Sequence, residues 1–149
     1  MTRIDFAFGA KNRLRTACET VLKQYAGGRR MLVYCQDQTL LQRFNQFLWG
    51  FQDSAFIPHV YADDPLADKT AIVFTNSLPA RSEHDAGLGI KWLLNLDQHC
   101  PPDTEQFDRI LEIVSLNEND ITQARKRWKN YQQLGHELHA HDLGKRQGR

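Results

Sequence analysis

"MLVYCQDQTLLQRFNQFLWG", residues 31–50, carries two different hydrophobic periods in immediate succession. Met31 to Cys35 is apolar almost without interruption, which is the pattern of a strand covered on both faces. Leu40, Leu41, Phe44, Phe47 and Leu48 then recur at three- and four-residue spacing, the mark of a helix with one buried side, and Gly50 follows as a helix terminator. A strand covered on both faces needs helices above and below its sheet. This stretch therefore points to an α/β layering.

The same unit is found upstream. Ile4 to Phe8 reads as a strand, and Leu14, Ala17, Cys18, Val21, Leu22 and Tyr25 read as a helix that closes on Gly27-Gly28. Downstream, "YADDPLADKT" is too rich in Asp and Pro for regular structure. The runs "AIVFTN", "IKWLLNL" and "RILEIVSL" are three more strands, separated by "SLPARSEHDAGLG" and "DQHCPPDTEQF". A long final helix opens at "NEND", where Asn117 can cap it with Asp120 three residues on, and its helical spacing is read through to Leu138. The expectation is one three-layer α/β domain over residues 1–143, with a mostly parallel central sheet between helices. The remaining "GKRQGR", residues 144–149, forms a disordered tail with nothing to bury.

Composition narrows the function. Nineteen Lys and Arg stand against eighteen Asp and Glu, whereas a protein that coats nucleic acid carries a marked basic excess. Cys18, Cys35 and Cys100 are odd in number, lack C-x-x-C spacing and sit in or beside apolar segments, as small buried thiols in a reducing cytoplasm would. The opening residues lack a signal-peptide apolar run, and no segment approaches the ~20 apolar residues needed to cross a bilayer. A soluble intracellular protein is expected.

An α/β sheet invites a search for a nucleotide site. The turn after the first strand, "FGAKNR", has one glycine and one lysine where a phosphate loop needs G-x-x-x-x-G-K-[ST], and no G-x-G-x-x-G follows a strand. Asp97, at the end of "LLNLD", reads as a turn or cap residue. His136, His139 and His141 in "HELHAH" are placed on a polar helix end and read as solvated rather than metal-binding. His59 and His84 fall in loops. His99 beside Cys100 is a surface histidine next to a small thiol, with nothing to activate a nucleophile. No cofactor, metal or catalytic constellation is expected.

Surface recognition remains. "QARKRWKNYQQLGHEL", residues 123–138, gathers Arg125, Lys126, Arg127 and Lys129 with no acid among them. On a helix, Arg125, Trp128, Lys129 and Gln132 share one stripe, while Ile121, Ala124, Trp128, Tyr131, Leu134 and Leu138 share the apolar one. Two readings stand: core aromatics beside a solvated cationic face, or a site for a short acidic peptide. In the second, Arg125 would clamp a carboxylate, Lys129 add charge, and Trp128 wall a pocket for an aromatic end. A second apolar set, Trp49, Phe51 and Phe56, occupies an irregular connection. It either folds back onto the sheet or docks a partner.

The "FAF" strand, "RMLVYCQDQ...RFNQFLW", "FIPH" and, above all, the final "ARKRWKNYQQLG" together resemble the chi subunit of bacterial DNA polymerase III over nearly the full length. The resemblance implies a non-catalytic clamp-loader accessory with an α/β fold and no nucleotide site. It implies that Arg125, Trp128 and Lys129 hold the acidic, phenylalanine-ending tail of single-stranded DNA-binding protein, with Arg127, Tyr131 and Gly135 as supports. Trp49 and Phe56 match aromatics that face psi, the small subunit tying chi to the clamp loader, and another partner such as a repair helicase could use that patch. DNA would be contacted mainly through these partners, by a cytoplasmic monomer or chi–psi heterodimer. The motif departs from its relatives at Ile121, where lysine can stand, and at Gln132, where arginine can, so the basic rim is thinner. The alternative is a module that binds nucleic acid directly through the same helix.

Overall fold

The computed structural model describes residues 2–51, 57–77 and 89–144. Seven strands form one sheet in the order β3-β4-β2-β5-β6-β1-β7: β1 Arg3–Ala10, β2 Met31–Tyr34, β3 His59–Tyr61, β4 Ile72–Thr75, β5 Trp92–Asn95, β6 Arg109–Ser115 and β7 Glu137–Asp142. Every neighbouring pair is parallel. Helices α1 (Arg13–Ala26) and α2 (Gln38–Trp49) cover one face, and α3 (Glu118–Gln133) covers the other. The expected three-layer α/β domain is the observed one.

Side-chain alternation along the strands divides the core in two. Met31 and Val33 of β2, Leu94 of β5 and Leu111 and Ile113 of β6 pack with Ala17, Cys18 and Val21 of α1 and Leu41, Phe44 and Leu48 of α2. Leu32, Tyr34, Leu93, Ile110 and Val114 point the other way, with Ile4 and Phe6 of β1, and meet Ala124 and Tyr131 of α3. Because β-strand side chains alternate, a continuous apolar run serves both clusters at once. Caps fix the helix starts: Asn12, Asp37 and Asn117 each accept a backbone N–H of the first turn.

Two segments differ from the sequence reading. α3 ends at Gln133, and of the residues read as its continuation, Glu137 onward, including Leu138, His139 and His141, form β7 on the edge of the sheet. Gly135 makes the change of direction. It adopts φ +82°, its N–H donates to the Gln132 carbonyl, and the His136 N–H donates to the Tyr131 carbonyl, so the helix closes in a Schellman turn. Spacing alone concealed this because Leu134 and Leu138 fit a helical row as well as a strand. The second difference is β3: His59–Tyr61, with His59 read as a loop residue, pair with β4 at the opposite edge, and the Asp- and Pro-rich loop that follows holds one 3-10 turn at Ala67–Lys69.

β7 also changes the histidines, which are not free in solvent. His136 is buried; its Nδ1 accepts the Thr2 N–H at 3.4 Å, leaving Nε2 to donate to Thr104 Oγ1 at 2.7 Å. His139 Nε2 lies 2.6 Å from Glu137 Oε2, and His141 Nε2 donates to Asp5 Oδ1 at 2.9 Å. His59 is buried in β3 rather than placed in a loop, while His84 and the tail at 145–149 lie outside the described residues.

Asp5 joins three elements. Burial opposes its ionisation, but donors from His141, Arg109 and Arg3 outweigh that and lower its pKa from 3.8 to about 2. A group whose folded pKa is depressed contributes stability that is complete above its unfolded value and lost as pH falls through the folded one. Urea midpoints of the wild type should therefore fall between about pH 4 and 2 by more than those of Asp5→Asn. Parallel pH curves for the two proteins would show that Asp5 does not hold β1 to β6 and β7.

Candidate functional site: the exposed face of the third helix

Position on α3 sorts its residues by depth. Ala124, Arg127 and Tyr131 face the sheet and are buried, Ile121 and Trp128 lie at the margin, and Arg125, Lys126, Lys129 and Gln132 are exposed. Arg125 and Lys129 are four apart and share a row, with Trp128 beside it. Among the described residues, Arg125, Lys126 and Lys129 make no ion pair.

Arg127 departs from the sequence reading, which counted it among the unpaired cations. Its side chain is 1% exposed, and its Nε donates to Glu112 Oε1 at 3.0 Å. Glu112 is itself fully buried in β6, and its Oε2 accepts from Tyr131 Oη at 2.6 Å and Asn95 Nδ2 at 2.8 Å. Arg127 Nη1 donates to the Gln98 carbonyl at 3.1 Å. Burial, with the Glu112 charge adding to it, pushes the Tyr131 phenol well above its usual range, so this hydroxyl stays a donor. The network ties one turn of α3 to two strands, and it thereby fixes which side chains α3 presents outward.

Glu112 was missed in the sequence, although a signal existed. It shares parity with Ile110 and Val114 inside an apolar strand, so it had to point into the α3 layer, where a buried carboxylate requires a cation.

Trp128 is partly buried. Its ring meets Phe6 of β1 edge-on, with centroids 5.2 Å apart, and Phe6 in turn meets Tyr131 at 5.9 Å. Leu138 of β7 also packs in this cluster, with Trp128 and Ile121 at its margin. β7 lies beside β1 in register, Ile4 opposite Leu138 and Phe6 opposite Ala140. Ala140 is exposed, and Phe8, two residues beyond Phe6 on the same side of the strand, is 40% exposed. A partly open apolar shelf thus borders a row of cations. Such a surface can bury an aromatic group while pairing with an adjacent carboxylate.

The second candidate patch lies elsewhere. Trp49, at the end of α2, is 55% exposed and its ring lies 4.5 Å from that of His59 in β3. Phe56 falls outside the described residues. Arg125, Trp128 and Lys129 thus stand close together on α3, Arg127 and Tyr131 face the sheet beneath them, Gly135 ends the helix, and Trp49 lies apart, near the opposite edge strand.

Residues 1–139 match the family model described as DNA polymerase III chi subunit, HolC. The chain belongs to this family. The DNA polymerase III subunit chi of Pseudomonas aeruginosa is 29% identical over 148 residues, spanning 96% of this chain and 98% of that protein. Its counterpart in Haemophilus influenzae is 25% identical over 128 residues, spanning 86% and 85%. That of Escherichia coli is 23% identical over 122 residues, spanning 81% and 79%. Chi-family membership covers every described element up to β7 and places the chain among DNA replication proteins. Among the described residues of this chi-family fold, no group of three or more His, Cys, Asp or Glu could hold a metal ion, and no helix is long and apolar enough to cross a membrane.

Proposed function

We propose that this chain is a non-catalytic accessory subunit of DNA polymerase III that acts in the bacterial cytoplasm. In this reading it bridges the C-terminal tail of single-stranded DNA-binding protein to the clamp loader through psi. The observation that carries this is the α3 surface: Arg125 and Lys129, exposed and without an ion pair among the described residues, stand beside the half-buried Trp128. Arg125 clamps the terminal carboxylate, Lys129 adds a point charge for the acidic residues, and Trp128 walls the apolar end. Psi, or a repair helicase in its place, docks around Trp49. Support for simultaneous binding comes from topology, because Trp49 packs beside β3 and Trp128 beside β1 and β7, at opposite ends of the strand order.

The peptide supplies the test. Calorimetric titration with an acidic peptide ending in phenylalanine should show saturable binding, and either amidation of its carboxylate or removal of the phenylalanine should abolish most of it. Equal affinity for the amidated peptide would replace the clamp with a diffuse acidic contact. Direct binding of nucleic acid is separated by salt: single-stranded DNA contacts lose affinity with a log–log slope of about 0.7 per phosphate, steeper than a single-carboxylate clamp.

A further inference from the structure

Side-chain alternation builds a second cationic surface on the sheet face opposite α3, at the end where the strands begin. Leu111 and Ile113 of β6 and Leu94 of β5 turn toward α1 and α2, and Arg109 and Trp92 share their parity. In register, Arg3 of β1 stands opposite Arg109, and Arg109 opposite Trp92. Arg29, from the turn before β2, lies 4.6 Å from the centre of the Trp92 ring, and Arg109 lies 4.7 Å from the same ring. Arg3, Arg109, Trp92 and Arg29 thus form one line across three strands.

The line is open to solvent. Of the β1 side chains only Ala10 belongs to the buried core beneath α1 and α2, and none of β7 does. Arg29 is exposed, the side chains of Arg3 and Arg109 are 42% and 29% exposed, and Trp92 is half-buried. A guanidinium stacked on an aromatic ring keeps its in-plane N–H edge free for an anion.

One carboxylate serves three guanidiniums. Asp5 accepts from Arg3 Nε at 3.1 Å and Arg109 Nε at 2.6 Å on Oδ2, and from His141 Nε2 at 2.9 Å on Oδ1. Arg29 donates Nη1 to the neutral Gln24 Oε1 at 3.2 Å and forms no ion pair among the described residues. Glu137, opposite Arg3 on the outer strand, is engaged by His139 at 2.6 Å. Like charges side by side repel, so this excess of cations favours an anionic ligand.

Its extent selects a chain over a single anion. Two interstrand steps of ~4.8 Å separate β5 from β1, so the line runs about 10 Å and meets about three phosphates at ~3.4 Å each. Cations with an aromatic among them hold single-stranded nucleic acid without reading its bases, and the chain belongs to a family of DNA replication proteins.

We propose that this line binds the phosphate backbone of single-stranded DNA, with Arg3, Arg109 and Arg29 on successive phosphates and Trp92 holding two of the guanidiniums in place. So short a contact is weak and salt-sensitive, in keeping with the near-neutral chain. The surface lies on the opposite face of the sheet from the cationic row of α3 and does not depend on the tail-binding reading.

Fluorescence anisotropy of a labelled oligothymidylate, titrated with the full chain at low salt, tests it. Saturable binding is expected, with a log–log salt slope of about 2, from about three phosphates at ~0.7 each. Arg29→Glu should weaken it by about tenfold or more while melting as the wild type, and Arg29→Gln should weaken it less. Arg125→Ala on α3 should leave oligonucleotide affinity unchanged. Absence of saturable binding by the wild type, or wild-type affinity in either folded Arg29 variant, would overturn the assignment. An equal loss in Arg125→Ala would overturn it in favour of α3, and equally tight binding of polyglutamate would replace DNA with an acidic polypeptide.

Discussion

Glu112→Ala is expected to destabilise the protein by about 3–5 kcal/mol, because it strands the buried guanidinium of Arg127 without a counter-charge. The same change removes the acceptor of the Tyr131 hydroxyl and of the Asn95 amide, so three donors lose a partner at once. None of the three can turn to water without opening the layer between α3 and the sheet. For a chain of this length, a loss of that size lowers the melting temperature by roughly 10 °C. Urea denaturation with and without the substitution measures it, and a change under about 1 kcal/mol would show that the network holds little of α3 in place. The double variant Glu112→Leu, Arg127→Met should lose much less than Glu112→Ala, since removing both charges leaves nothing buried and unpaired.

On the exposed side of the same helix, Arg125→Ala should weaken binding of the acidic phenylalanine-ending peptide by about 1.5–3 kcal/mol, roughly 10- to 100-fold. Folding should not change, because Arg125 is exposed and forms no ion pair among the described residues. Trp49→Ala provides the reciprocal measurement: psi capture should fail while peptide affinity stays within about 0.5 kcal/mol, as expected of sites that share no contacts. Trp49 is 55% exposed, so its truncation should cost less stability than that of a core aromatic. Wild-type peptide affinity in Arg125→Ala would remove the clamp, and loss of both partners in either folded variant would merge the two surfaces into one.

The parts of the fold that could be read from sequence were those in which one period dominates. β2 is buried on both faces and apolar throughout, β6 is mostly apolar apart from Glu112 and its two ends, and α1 and α2 carry a single stripe ended by glycine. β3 and β7 are edge strands, partly solvated and short or polar, so their composition could not distinguish them from loop or helix. Of the α3 surface, the cationic row beside Trp128 was visible as a pattern. The division between Arg125, which faces out, and Arg127, which faces Glu112, was not, because four neighbouring cations look alike until the opposing layer is known.

β1 lies between β6 and β7, with Arg3 opposite both Arg109 and Glu137. Of the seven described strands, the first in sequence is thus the one whose partners come last. Until translation passes residue 109, β1 has neither neighbour, and Ile4, Phe6 and Phe8 have no sheet to join; until it passes residue 142, one side of β1 remains open. Contacts of such long sequence separation close slowly, after the chain has met most of its loop-closure cost. The nascent protein therefore carries β1 without a partner until β6 has been made, and the six-residue β7 is what covers its remaining edge.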